Sequence, residues 1–418
     1  MIDLKKLEEK VILTAVCSGN EEETAASLQE LAALVSTAGA KTVGILVQNR
    51  ESVHPGTYLG KGKTEELREL IRQQEATGIV CDDELSPAQL NNLEEALETK
   101  VMDRTMVILD IFAARAATRE GKIQVELAQL RYRAARLTGM GRSMSRLGGG
   151  IGTRGPGEKK LETDRRMIHR RIAQLKEDLA EVKRHREVTR QQRERDFALR
   201  AAIVGYTNAG KSTLLNRLTG AGILGEDKLF ATLDPTTRSY VMEDGQKILL
   251  TDTVGFIRKL PHHLIEAFRS TLEEARYSDI ILHVVDCASP QMDMQMHVVR
   301  ETLRDLEIVD KTMVTVFNKV DLWGMTDRED KLPRDFSADY QVRISAKTGE
   351  GLDALGDILK AIIRSRRIYL ERLYPYSQAG RIQEIRRYGQ LLLEEYREDG
   401  IWVQAYVPAE LFGRLYGA

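Results

Sequence analysis

The chain has 418 residues, 42% of them hydrophobic and 30% charged, with a formal net charge of −1. That suggests roughly two to four domains with real cores and confines any nucleic-acid surface to a local patch. Three scattered cysteines, Cys17, Cys81 and Cys287, support neither a disulfide framework nor a zinc site. No apolar run reaches the length of a membrane span and Met1-Ile2-Asp3-Leu4-Lys5-Lys6 is not a signal peptide, so the cytoplasm is the expected location, peripheral membrane association included.

Residues 9–110 alternate between strand and helix patterns. Val11–Val16 reads as a buried strand, residues 21–38 place Ala25, Leu28, Leu31, Ala32 and Val35 at helical spacing, and Val43–Val47 reads as a second strand. A helix over 64–75, a short strand Gly78–Cys81, a helix opening at Ser86-Pro87 and a last short strand Val101–Asp103 complete a small α/β domain with a mainly parallel sheet. The loop Gly56-Thr57-Tyr58-Leu59-Gly60-Lys61-Gly62-Lys63 lies between a strand and a helix but fits neither phosphate-loop nor dinucleotide spacing. A flexible surface loop is the favoured reading, a second nucleotide site the other.

Residues 104–200 change character. Ile123, Leu127, Leu130, Ala134 and Leu137, and again Ile168, Ile172, Leu175, Leu179 and Val182, follow a 4-3-4-3 spacing that predicts two helices paired as an antiparallel hairpin. Gly148-Gly149-Gly150-Ile151-Gly152-Thr153-Arg154-Gly155-Pro156-Gly157 between them can continue neither helix. Residues 141–166 hold seven Lys/Arg (Arg142, Arg146, Arg154, Lys159, Lys160, Arg165, Arg166) against Glu158, Glu162 and Asp164, and the second helix continues basic. A basic tip on a helical arm, with little aromatic interleaving, suits phosphate contact with folded RNA rather than base stacking. A solvated linker is the plainer alternative.

From about residue 198 the alternation returns. The run Gly205-Tyr206-Thr207-Asn208-Ala209-Gly210-Lys211-Ser212 follows the apolar Ala201–Val204 and precedes the helical pattern Thr213–Leu218, the context of a phosphate-binding loop. Lys211 can reach the β- and γ-phosphates, and Ser212 can ligate Mg²⁺. The strand Ile248–Thr251 runs into Asp252-Thr253-Val254-Gly255, where the carboxylate can hold Mg²⁺ through water and Gly255 can offer its N–H to the γ-phosphate. After the strand Ile280–Asp286, Met313–Phe317 leads into Asn318-Lys319-Val320-Asp321. Asp321 can accept from the guanine N1–H and exocyclic amine, which adenine lacks, while Lys319 packs along the base. Val342–Ile344 then leads to Ser345-Ala346-Lys347, whose backbone can close over the guanine oxygen. The motif order indicates GTP rather than ATP.

Between phosphate loop and Asp252 lies a switch, Leu229-Phe230-Ala231-Thr232-Leu233-Asp234-Pro235-Thr236-Thr237-Arg238, in which Thr232, Thr236 and Thr237 can each complete a Mg²⁺ shell. Phe256 stands where many GTPases place a water-orienting glutamine, so slow intrinsic hydrolysis is expected. Asn208 can either help bind a monovalent cation such as K⁺ or simply stabilise its loop. A helix Leu352–Ile363 closes this domain. Residues 365–418 read as a strand–helix–strand appendage: Ile368–Tyr376, a helical Arg381–Arg397 and Gly400–Pro408.

These motifs, with Phe230–Thr236, Asp252–Phe256, the glycine-rich tip through Glu158 and Gly56–Gly62, closely resemble the HflX family of translational GTPases over nearly the whole chain. The resemblance implies an α/β fold in four parts: an N-terminal α/β domain (1–111), a helical hairpin (112–197), a Ras-like phosphate-loop GTPase domain (198–364) and a small α+β domain (365–418). It selects Thr232 as the Mg²⁺ threonine. It implies a monomer that binds the large ribosomal subunit and its RNA, the hairpin loop reaching toward the peptidyl-transferase region, to dissociate or rescue stalled ribosomes. An ATP site in the N-terminal region is a further implication. The alternative function is a GTP-timed switch that binds a protein or RNA partner without splitting ribosomes.

Overall fold

The computed structural model describes residues 8–144, 156–194, 199–220, 229–242, 245–260, 272–325 and 334–416, which group into two compact units. The glycine-rich tip lies outside these residues apart from Pro156 and Gly157, as do the side chains of Arg142, Arg146, Arg154, Lys159 and Lys160.

One unit comprises the chain up to Val182 and the described segments 229–234 and 254–260. Strands β1 (Lys10–Cys17), β2 (Lys41–Asn49), β3 (Gly78–Cys81) and β4 (Lys100–Asp103) alternate with helices α1 (Glu21–Ala38), α2 (Lys61–Gln74) and α3 (Pro87–Leu97), matching the expected elements within a few residues. The sheet order is β2-β1-β3-β4 and all its pairs are parallel. Strands buried on both faces are apolar throughout, hence Val11-Ile12-Leu13 and Ile79-Val80-Cys81 in the core. Ser86 and Gln89 form a reciprocal capping box that starts α3 at Pro87.

Helix α4 (Arg104–Arg115) follows β4 directly and was not separable from the hairpin by periodicity. Its start is set by Asp103, whose Oδ1 accepts from the Met106 N–H at 2.9 Å. The hairpin is α5 (Arg119–Met144) and α6 (Pro156–Glu194). As the seam spacing predicts, Ile123, Leu127 and Leu175 form one core with Leu130, Ile172, Leu179 and Val182 packed on it. The Arg171 guanidinium spans the seam to Glu126 at 2.8 Å. The opposite face of α5 docks through Asp103, which is fully buried and takes hydrogen bonds from Tyr132 Oη (2.6 Å), Arg136 (2.5 Å) and the Leu85 N–H (3.1 Å).

The other unit has a six-stranded sheet, β10-β9-β8-β5-β7-β6. Its strands are β5 (Leu199–Gly205), β6 (Thr236–Val241), β7 (Lys247–Asp252), β8 (Ile280–Asp286), β9 (Thr312–Asn318) and β10 (Tyr340–Arg343). All pairs are parallel except β6 with β7. Strand β6 has few apolar residues, lies at the sheet edge and takes up the end of the segment read as switch. Strands β5 and β9 bring the Gly205–Ser212 and Asn318–Asp321 loops to the carboxyl edge, where ligands of such sheets bind.

The same unit holds a three-stranded antiparallel sheet, β11 (Arg367–Tyr374), β13 (Gly400–Pro408) and β12 (Gln390–Arg397), in the order β11-β13-β12. The helix expected over Arg381–Arg397 ends at Tyr388, and Gln390–Arg397 is a strand. Gly389 breaks the helix in extended backbone, and the turn at Gly400 folds the next residues into a hairpin with β13.

Asp103 caps one helix and holds another, so Asp103→Asn should destabilise the N-terminal unit by about 3 kcal/mol, the cost of leaving a buried cation without its partner. Tyr132→Phe should cost only ~1 kcal/mol. Calorimetry is the check, with the unfolding transition of the other unit expected unmoved in both variants.

Candidate nucleotide site

Strand β5 ends at Gly205, and a side chain there would collide with the Val284 carbonyl of β8, so glycine is required where the chain leaves the sheet. Asn208 follows in left-handed backbone (φ 62°), exposed at the tip of the loop. Asparagine tolerates that conformation better than most residues. Gly210 (φ 93°) precedes helix α7 (Lys211–Thr219), and its missing Cβ is the space taken by Asn318 Nδ2. The helix N-terminus and the loop N–H groups make this a site for phosphate. Lys211 is buried and donates to the Tyr206 carbonyl at 2.8 Å. Burial pushes its ammonium down to about 8, with Asp252 acting in the opposite sense.

Ser212 Oγ lies 2.6 Å from Asp252 Oδ2, at the buried end of β7. A hydroxyl beside a carboxylate is a hard-oxygen pair of the kind that could hold Mg²⁺. Thr253 is fixed just beyond, its Oγ1 donating to the Ile203 carbonyl at 2.8 Å.

The loops that follow β5, β9 and β10 meet at Asn318. Its Nδ2 donates to the Ala209 carbonyl at 2.8 Å, and its Oδ1 accepts from the Ala346 N–H at 2.9 Å. One buried amide therefore ties the phosphate loop to Ser345-Ala346-Lys347. Lys319, in left-handed backbone (φ 67°), is held by Asp286 at 2.8 Å. Asp286 was not foreseen; its place at the end of β8 is the sequence signal that could have found it. In the turn after Lys319 and Val320, Asp321 Oδ1 is shielded from solvent and has no hydrogen-bond partner among the described residues.

The remaining expected site residues belong to the N-terminal unit. Phe230 and Leu233 are buried, Ala231 and Thr232 half-buried. The Asp234 carboxylate accepts from the Ala117 and Thr118 N–H groups, each at 2.9 Å. Val254, Gly255 and Phe256 are buried, Phe256 with 1% exposure. The Gly56–Lys63 loop is packed rather than flexible: Tyr58 and Leu59 are in the core. Its Gly56 and Thr57 N–H groups are taken by His54 Nδ1 and that of Gly60 by Gln48.

Residues 25–113 match the family model "GTP-binding GTPase N-terminal", 115–193 "GTP-binding GTPase Middle Region" and 200–319 "50S ribosome-binding GTPase". The chain is 70% identical over 415 residues to "GTPase HflX" of Lacrimispora saccharolytica, covering 99% of this chain and 97% of that one. It is 48% identical to "GTPase HflX" of Caldanaerobacter subterraneus subsp. tengcongensis, covering 99% and 95%. A GTP-binding protein from Sulfolobus solfataricus, solved with GDP, is similar at 25% identity and a TM-score of 0.44, over 84% of this chain and 98% of that one. With relatives 70% and 48% identical over 99% of its length, the chain belongs to the HflX family of GTPases and is a GTP hydrolase.

Proposed function

We propose that this GTPase docks on the large ribosomal subunit in its GTP state, dissociates or rescues stalled ribosomes, and leaves after hydrolysis. The observation that carries the reading is the basic face of α6: Arg165, Arg166 and Arg170 are all exposed on consecutive turns of the helix that leads away from the tip, with Arg166 paired to Glu162. A stripe of this kind supplies phosphate contacts without sequence preference. The match of residues 200–319 to a family of 50S ribosome-binding GTPases supports the same partner.

Guanine selection falls to Asp321. A shielded carboxylate oxygen with no partner among the described residues is costly unless a ligand donor meets it, and guanine offers two donors that adenine lacks. Ser212 and the Thr232 hydroxyl are the direct Mg²⁺ ligands, and Lys211 and Gly255 balance charge on the γ-phosphate. Buried Phe256 cannot orient water, so hydrolysis is slow alone and awaits the ribosome, with K⁺ beside Asn208 as the added positive charge. The N-terminal loop residues Gly56–Gly60 spend their N–H groups within the protein and Lys63 is paired with Glu66, which leaves Lys61 as the group for any ATP bound there.

Steady-state hydrolysis with purified large subunits should exceed the rate of the chain alone by at least tenfold, and reversing Arg165, Arg166 and Arg170 to Glu should remove that gain while sparing the basal rate. An unchanged rate at saturating subunits speaks for the GTP-timed switch instead. Asp321→Asn should weaken GTP binding by ~100-fold and gain xanthosine triphosphate, as competition titrations would read.

A further inference from the structure

The switch residues 229–234 and the segment 254–260 that follows Asp252-Thr253 pack as part of the N-terminal unit, the first of them against the base of the arm. The Asp234 carboxylate sits at the N-terminus of α5, accepting from the Ala117 and Thr118 N–H groups at 2.9 Å each and from Thr118 Oγ1 at 2.5 Å. Thr118 Oγ1 in turn accepts from the Gly121 N–H at 2.9 Å, so switch and helix cap share one hydroxyl. Free N–H groups and the helix dipole both favour an anion there. Gly121 is what lets it approach, since a Cβ at that position would overlap Asp234 Oδ1. Four residues earlier, Phe230 meets Phe112 of α4 edge to face, with ring centroids 4.7 Å apart.

The second segment is anchored as firmly. Lys259 contacts Asp82 Oδ2 and Asp83 Oδ1, each at 2.6 Å, just past the carboxyl end of β3. Asp82 also holds Arg104, the first residue of α4, at 2.8 Å. Phe230 and Lys259 both have positive φ, 54° and 51°, a conformation that non-glycine residues hold only when their surroundings impose it. Both are anchored to the N-terminal unit.

We propose that these contacts form a latch that preorganises the switches for GTP and carries the nucleotide state to the arm. Thr232 lies midway between the anchored Phe230 and Asp234, so its backbone is already restrained before its hydroxyl is used. A restrained loop loses less conformational entropy when Mg²⁺ and the γ-phosphate engage it. Linkage makes the effect mutual: if the latch favours GTP, then GTP tightens the latch and fixes the N-terminus of α5, at the foot of the hairpin. The link requires nucleotide binding only, and stands or falls independently of the ribosomal reading.

Gly121→Ala is the sharpest test, because alanine favours the helix itself while pushing Asp234 off its cap. In the full chain, the ratio of affinity for a non-hydrolysable GTP analogue to that for GDP should fall roughly fivefold or more; Thr118→Ala should act in the same direction. Independently, hydrogen exchange at amides 117–121 of the unaltered protein should be slower with the GTP analogue than with GDP. An unchanged or raised affinity ratio, or equal exchange in the two nucleotide states, would overturn the latch.

Discussion

The nucleotide site depends on one buried side-chain amide. Asn318 sits at the end of β9 and uses both ends of its carboxamide, one on the phosphate loop and the other on the loop that follows β10. Gly210 cannot carry a side chain because that amide fills the space behind it. The constraint explains why phosphate and base motifs separated by about a hundred residues act as one surface. Asp321, three residues on, keeps a shielded carboxylate oxygen with no hydrogen-bond partner among the described residues.

The N-terminal unit is organised by carboxylates in a comparable way. Asp103 caps α4 and holds Tyr132 and Arg136 of α5; Asp82 joins Ser27, Arg104 and Lys259; Asp234 caps α5. Each accepts from several donors, which is what a carboxylate in a partly or wholly buried place requires. Since two of the three also anchor switch segments, the network that stabilises this unit is the one through which nucleotide chemistry can reach it.

The sequence was most readable where a local pattern decides the structure. Parallel strands such as Val11–Val16 and Ile280–Asp286 announce themselves as apolar runs, and Ser86-Pro87 marks a helix start by its own capping chemistry. The hairpin seam was legible from spacing, and the guanine motifs from their order. Less legible were elements that depend on distant partners. Edge strand β6 lacks an apolar run, and β12 is specified by pairing with β13 while its own composition also suits a helix. The roles of Asp234 and Lys259 beyond their motifs were invisible, because their partners lie more than a hundred residues away in sequence. The Gly56–Lys63 loop misled in the opposite sense: its glycines suggest mobility, yet Tyr58 and Leu59 bury it.

The proposed docking, in which the γ-phosphate decides whether the arm engages the ribosome, is open to one direct measurement. Co-sedimentation of the full chain with purified large subunits, with a non-hydrolysable GTP analogue or with GDP, should retain the protein in the first case and release it in the second. Equal retention with the two nucleotides, or none with either, would contradict it.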